Sequence, residues 1–218
     1  MKKISIMLLS TILTSCSILD NSRIAPGYSQ AYVSIKNALF GYEDTGITRE
    51  MIEEIPYASA LLRIGKGPIG LVILESFNES KQTWVSADSA YIVMQNGKII
   101  QTKGLNNNLT KLTSPFDGSN FLKVDDQRSY KYYLSYDEPY LRDLEVDVKF
   151  YKREKESIEI LGEEMDLMLV EEEISNSYIG WRVKNSYWVD EDYFVWKSEQ
   201  YISPRLPKLV IEVTKKPS

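Results

Sequence analysis

Histidine is absent from all 218 residues, and cysteine occurs once, as Cys16. Without imidazole there is no Ser–His or Cys–His nucleophile pair, and nearly every zinc site is excluded with it. One cysteine permits no intrachain disulfide, so folding must rest on apolar burial. Basic charge is also in deficit. Lys and Arg number 26 against 31 Asp and Glu, a formal charge of −5 that argues against a nucleic-acid partner. Beyond the N-terminal segment no stretch approaches the roughly 20 apolar residues of a spanning helix. Internal repeats and cofactor motifs are missing, and Asp190-Glu191-Asp192 lacks the ligand alternation and glycine of a calcium loop. These omissions predict no metal and no cofactor.

What is present begins with a processing signal. Lys2 and Lys3 precede the apolar run Ile4 to Leu13, and Leu13-Thr14-Ser15-Cys16 sets small residues before the thiol. The pattern predicts a lipoprotein signal peptide over residues 1–15, with Cys16 as the lipidation site. A cleaved secretory signal or an uncleaved anchor are the alternatives. Each buried methylene contributes about 0.8 kcal/mol, so two or more palmitate-class acyl chains hold a protein on a membrane without any spanning element. Ser17 follows the cysteine in place of an inner-membrane retention Asp, which points to the outer membrane with the body facing the periplasm. Residues 16–27, mostly small or polar, read as a lipidated tether. Residues 28–218 read as a single mostly-β periplasmic domain.

Tyr28 to Phe40 carries Tyr32, Ile35, Leu39 and Phe40 at helical spacing, and Thr48 caps a second short helix that Pro56 ends. The period then becomes two. Ser59 to Ile64 and Ile69 to Phe77 are dense in branched residues, and Asn96-Gly97 joins two strands through a turn whose central residues need positive φ. Leu144 to Lys152 alternates apolar and polar, Met165, Leu167 and Leu169 repeat the pattern, and Ser175-Asn176 reads as a turn. Tyr178 to Val183, Tyr193 to Ile202 and Leu209 to Thr214 complete the strands, while Gly104 to Ser129 reads as a long polar surface connection. The predicted class is mainly β: an antiparallel sandwich or curled half-open barrel with one or two short N-terminal helices.

Carbohydrate chemistry would use paired carboxylates, one held protonated. Asp125-Asp126, Asp137-Glu138, Glu171-Glu172-Glu173 and Asp190-Glu191-Asp192 supply many, but neighbours along a strand face opposite ways and nothing selects a pair. The Lys152 to Glu156 and Glu171 to Glu173 runs read as solvated strand ends, and 190–192 as a charged turn. Fifteen Tyr and four Trp are a heavy aromatic load, fit for core packing or for stacking on sugar faces. Trp188, Trp196, Tyr130 and Tyr132 are candidate partner or glycan contacts, although Trp196 shares a face with Phe194 and Ile202 and reads equally as core. Arg205, stiffened between Pro204 and Pro207, is a candidate contact to a partner or an anionic glycan.

Taken together, Gly46-Ile47-Thr48-Arg49-Glu50 running into Ile55-Pro56-Tyr57-Ala58-Ser59, the Asn96-Gly97 hairpin with Gly104-Leu105, Tyr187-Trp188-Val189-Asp190, and the stretch from Val195 to Pro207 resemble the group 4 capsule polysaccharide lipoproteins, the GfcB/YjbF family. The likeness runs from about Leu39 to Thr214 and is thinnest over Asn107 to Leu141. It implies an outer-membrane lipoprotein that works with an outer-membrane barrel or a periplasmic exopolysaccharide-export protein, and it implies no enzyme activity. The expected role is a non-catalytic accessory that binds a protein partner or the polysaccharide. The alternatives are a polysaccharide-trimming hydrolase or lyase and a carrier of an acyl chain.

Overall fold

Alternation of apolar and polar residues, broken by turn chemistry every few residues, builds a meander of antiparallel strands. The computed structural model describes residues 46–217 apart from 79, 88, 117, 118 and 124. The signal segment, Cys16, the tether and the Tyr28 to Phe40 helix lie outside the described residues. Helix α1 (Arg49–Glu53) opens the described chain, and the Thr48 side chain caps it by accepting from Met51 N at 3.4 Å. Twelve strands follow among the described residues: β1 (Ser59–Ile64), β2 (Ile69–Asn78), β3 (Lys81–Ser86), β4 (Tyr91–Gln95), β5 (Lys98–Lys103), β6 (Leu109–Thr113), β7 (Ser129–Tyr136), β8 (Leu141–Ile160), β9 (Glu163–Asn176), β10 (Trp181–Val189), β11 (Val195–Gln200) and β12 (Leu209–Lys215).

They form one sheet in the order β5-β4-β3-β2-β1-β12-β11-β10-β9-β8-β7-β6. The first and last strands pair, Leu62 opposite Ile211, so the sheet curls into a nearly closed barrel. Its seam falls between β5 and β6, where the Leu109 N–H donates to Thr102 Oγ1 at 3.0 Å in place of a ladder bond. Seams expose unpaired backbone. Here the chain after β6 covers the gap: Phe121 and Leu122, in a 3₁₀ turn at Phe121–Lys123, are buried in the core.

Inward residues alternate round the barrel. Tyr132 and Leu134, then Val146, Val148 and Phe150, then Val170, Glu172 and Ile174, then Asn185 and Tyr187 are buried, and the register Val148↔Ile174 and Glu172↔Asn185 puts them on one face. The β8–β9 hairpin is long. It runs beyond the last β10 pairing, Val189↔Met168, and projects from one mouth of the barrel. Arg49 clamps it there, donating to Ile160 O (2.8 Å) and Thr214 O (3.2 Å) and pairing with Glu163 at 2.9 Å.

Four sequence expectations need correction. Glu171 and Glu172 are not solvated: both are buried, because their strand runs through the middle of the sheet. The face of β9 that enters the barrel is the even one, Val170, Glu172 and Ile174, while Leu167 and Leu169 are buried outside the main core cluster. The strand continues through Ser175-Asn176 to a turn at 177–180. Finally, Gly104 to Ser129 is no surface connection, since it contributes β6 and buries Leu109, Phe121 and Leu122.

Candidate functional site

At mid-height the barrel encloses an ion pair. Lys98, at the start of β5, reaches across to Glu172 on β9, and the two side chains are 6% and 0% exposed. Burying both charges is tolerable because they pair with each other and Glu172 takes further hydrogen bonds, although the Tyr132 hydroxyl in the same pocket has no partner among the described residues. Glu172 Oε2 accepts from Tyr187 O–H (2.8 Å) and Asn185 Nδ2 (3.0 Å), and Lys98 Nζ lies 3.3 Å from the Tyr187 hydroxyl. Gln200 extends the network, accepting from Ile99 N and donating to Gly97 O, each at 2.9 Å. The Lys98 ammonium also sits 4.3 Å from the Phe121 ring centroid, 5.0 Å from Tyr132, 5.5 Å from Phe150 and 5.3 Å from Tyr187. Burial pulls the Lys98 pKa down, against the pull of Glu172 in the other direction. Burial and the Glu172 charge push both Tyr132 and Tyr187 well above the ordinary phenol value, so neither serves as a proton donor to water. The void beside this network measures about 20 Å³, room for one water molecule. The network is a crossbar that ties the seam strand β5 to the opposite wall.

An accessible concavity lies at the mouth where the β8–β9 hairpin projects. A groove of about 270 Å³ is lined by Lys155, Asp166 and Met168 on the hairpin and by Val189, Asp190, Glu191 and Tyr193 at the β10–β11 turn. Asp190 builds that turn. Its Oδ1 accepts from Asp192 N (3.0 Å) and Phe194 N (2.9 Å), its Oδ2 from the Trp196 indole (3.0 Å), and its carbonyl from Tyr193 N (3.0 Å). Burial alone would raise the Asp190 carboxyl, but the Phe194 N–H, the Trp196 indole and the Lys216 ammonium together hold it below its ordinary value. The tight turn drives Tyr193 to φ +62°, a left-handed conformation that a bulky residue adopts only when its surroundings compel it. Lys155 pairs with Glu191 across the groove at 3.4 Å. Among the described residues no three acidic side chains come together as a metal site.

Sequence-proposed contacts are scattered. Trp188 and Trp196 flank the groove's turn: the Trp188 indole donates to Glu156 at 2.8 Å, and Trp196 packs edge-on against Phe194 at 5.1 Å. Both are half-buried. Tyr130 is half-buried against Phe116, with ring centroids 4.9 Å apart. Tyr132 requires correction as a contact residue, since it has no exposed surface and offers nothing to an outside partner. Arg205 is exposed in the β11–β12 connection, at the opposite end of the barrel from Trp188 and Trp196. Sequence reasoning missed Lys98, Asn185, Gln200, Asp166 and Tyr193. A glutamate run inside an alternating strand was the available signal for the crossbar; nothing local marked Tyr193.

The fold defines a class, an up-and-down antiparallel barrel domain filled by its own side chains. Residues 32–214 match the family model described as group 4 capsule polysaccharide lipoprotein gfcB, YjbF, and the chain belongs to that family. It is 24% identical over 213 residues to an uncharacterized lipoprotein YjbF of Escherichia coli (strain K12), covering 93% of this chain and 92% of the relative. To an uncharacterized lipoprotein GfcB of the same organism it is 26% identical over 161 residues, covering 72% of this chain and 75% of the relative. The crystal structure of the hypothetical lipoprotein YmcC from Escherichia coli (K12) superimposes with a TM-score of 0.70 at 23% identity, over 85% of this chain and 95% of that one, and shows the same fold.

Proposed function

We propose that the protein is a non-catalytic accessory of capsule or exopolysaccharide assembly or export, anchored through acyl chains on Cys16 to the outer membrane and facing the periplasm. It works through an outward surface that engages an export protein or the polysaccharide. The observation that supports this most is the occupied interior. With Lys98 and Glu172 locked together beside a void of about 20 Å³, the barrel has no room there for an acyl chain or a sugar, so recognition falls to the outside. Catalysis by paired carboxylates needs an acid whose pKa is raised. Among the described residues the displaced carboxyls, Glu50, Asp137, Glu145, Glu171 and Asp190, all move down instead.

Confinement to a membrane raises the effective concentration of such a domain against a membrane-embedded partner. The test compares surface polysaccharide in the parent strain, a deletion strain and a Cys16→Ser strain. Both altered strains are expected to lose surface polymer. Wild-type amounts in both would overturn the reading, and shortened chains after incubating purified protein with the polymer would overturn its non-catalytic part.

A further inference from the structure

The outer face of a barrel in water is ordinarily polar. Over β2, β1, β12 and β11 it is not. Ala60, Leu62, Ile211 and Val213 point into the core, so their strand neighbours Leu61, Val210 and Glu212 point outward. The registers Leu61↔Glu212, Arg63↔Val210 and Arg63↔Ile69 set these side chains beside one another. They line an outer trough of about 330 Å³ whose apolar floor is Leu61, Ile69 and Val210. Leu61 is 5% exposed although it faces outward, and Ile69 and Val210 are half-buried. The charged walls pair off, Lys197 with Glu212 at 2.6 Å and Lys208 with Glu199, and Arg63 is the one other charged lining residue.

The lower end of the same face already carries the start of the described chain. Thr214, which also faces outward, is buried, and α1 meets it there: Arg49 donates to the Thr214 carbonyl at 3.2 Å, and Lys215 Nζ donates to Ile55 O at 2.6 Å. Four residues of strand, about 13 Å, separate Thr214 from Val210. The segment Tyr28 to Phe40 lies outside the described residues, but its sequence sets Tyr32, Ile35 and Leu39 at helical spacing and carries a single charge, Lys36. Nine residue steps join Phe40 to Arg49, a reach of up to about 30 Å. Thirteen residues of helix are about 20 Å long, close to the length of the six-residue β1. A nearly uncharged apolar stripe of that size suits an apolar floor between walls whose charges are already paired.

We propose that Tyr28 to Phe40 docks as a helix along this trough, with Tyr32, Ile35 and Leu39 over Leu61, Ile69 and Val210. Joined to the barrel by a short link, it has an effective concentration that a free partner of like chemistry does not match. On the proposed anchorage, docking leaves residues 16–27 between lipid and barrel, about 20 Å of flexible chain on average, which holds the barrel close to the membrane. The docking itself does not rest on the polysaccharide role.

The test uses the full mature chain carrying Cys16→Ser, so that every thiol is an engineered one. Hydrogen exchange read by mass spectrometry should show the amides of residues 31–40 protected at least tenfold over a free peptide of residues 28–40. Val210→Asp puts a charge in the floor and should abolish that protection while β9 exchanges as in the parent. Ile35→Cys with Val210→Cys should give an intrachain disulfide on mild oxidation, whereas Ile35→Cys with Lys149→Cys, exposed on β8 four strands away, should not. The cysteine pairs decide independently of whether Val210→Asp folds. Unprotected amides at 31–40 in the parent, undiminished protection in a folded Val210→Asp protein, equal bridging of both pairs, or bridges formed only between two chains overturns the proposal. None of these readouts involves surface polymer, so the docking and the accessory role stand or fall separately.

Discussion

Replacing Glu172 by Gln changes shape hardly at all and should nonetheless be among the most damaging single substitutions in the barrel. In the parent, one carboxylate oxygen faces Lys98 and the other accepts from Tyr187 and Asn185. A carboxamide has only one acceptor oxygen. Turned toward Tyr187 and Asn185, it points its NH₂ at the Lys98 ammonium; turned toward Lys98, it points the NH₂ at the Asn185 amide, whose Nδ2 is itself a donor. Either orientation leaves donors facing donors in a site without solvent, and the ammonium is left uncompensated. Breaking a buried pair in this way costs about 3–5 kcal/mol. For a domain of this size each kcal/mol moves the melting temperature by about 2–4 °C, so the fall should be roughly 6–20 °C. Thermal and urea unfolding of the purified domain measure it. The double variant Lys98→Met with Glu172→Gln removes both charges and lets the amide oxygen serve Tyr187 and Asn185, so it should be more stable than Glu172→Gln alone. A Glu172→Gln protein within about 1 kcal/mol of the parent would refute the crossbar.

Two further outcomes follow from local geometry. A Cβ added at Gly97 would stand 2.3 Å from Val195 Cγ2 at φ +81°, so Gly97→Ala should lose about 1–3 kcal/mol in urea unfolding, with part regained by Val195→Ala; an unchanged midpoint would contradict the packing. Glu171, held down by Lys184 and Arg153 against its burial, and Asp190 both sit below their ordinary values, so below about pH 5 the unfolded chain takes up protons before the folded one, and the stability these carboxylates add is lost as pH falls through their folded pKa values. Asp190→Asn should therefore lose less stability than the parent between about pH 5 and pH 3; equal losses would show that Asp190 adds nothing there.

Turn chemistry made part of this fold readable from residues alone. Asn96-Gly97 demands positive φ at both positions, and the structure has +50° and +81°. The limits of β1 and the Thr48 cap were likewise written locally. The crossbar was not. Alternation says that Glu172 faces away from Glu171 and Glu173, but the inward face is set by register with β8 and β10, which no local pattern specifies. Lys98 is equally mute, because it follows a turn and reads as a strand-end solvating charge until Glu172, 74 residues on, is placed beside it. β6 escaped notice because the register shift between Leu109 and Lys111 breaks its alternation. The groove depends on a hairpin from one part of the chain overhanging a turn from another, and a single sequence does not reveal such an overhang.

Arg49 fastens the start of the described chain to Ile160 and to Thr214 in the final strand, so that start sits at the same rim that carries the groove. An affinity handle fused after Lys216 would hang beside the groove and compete for the same space, and one inserted in the 204–207 bend would leave it clear.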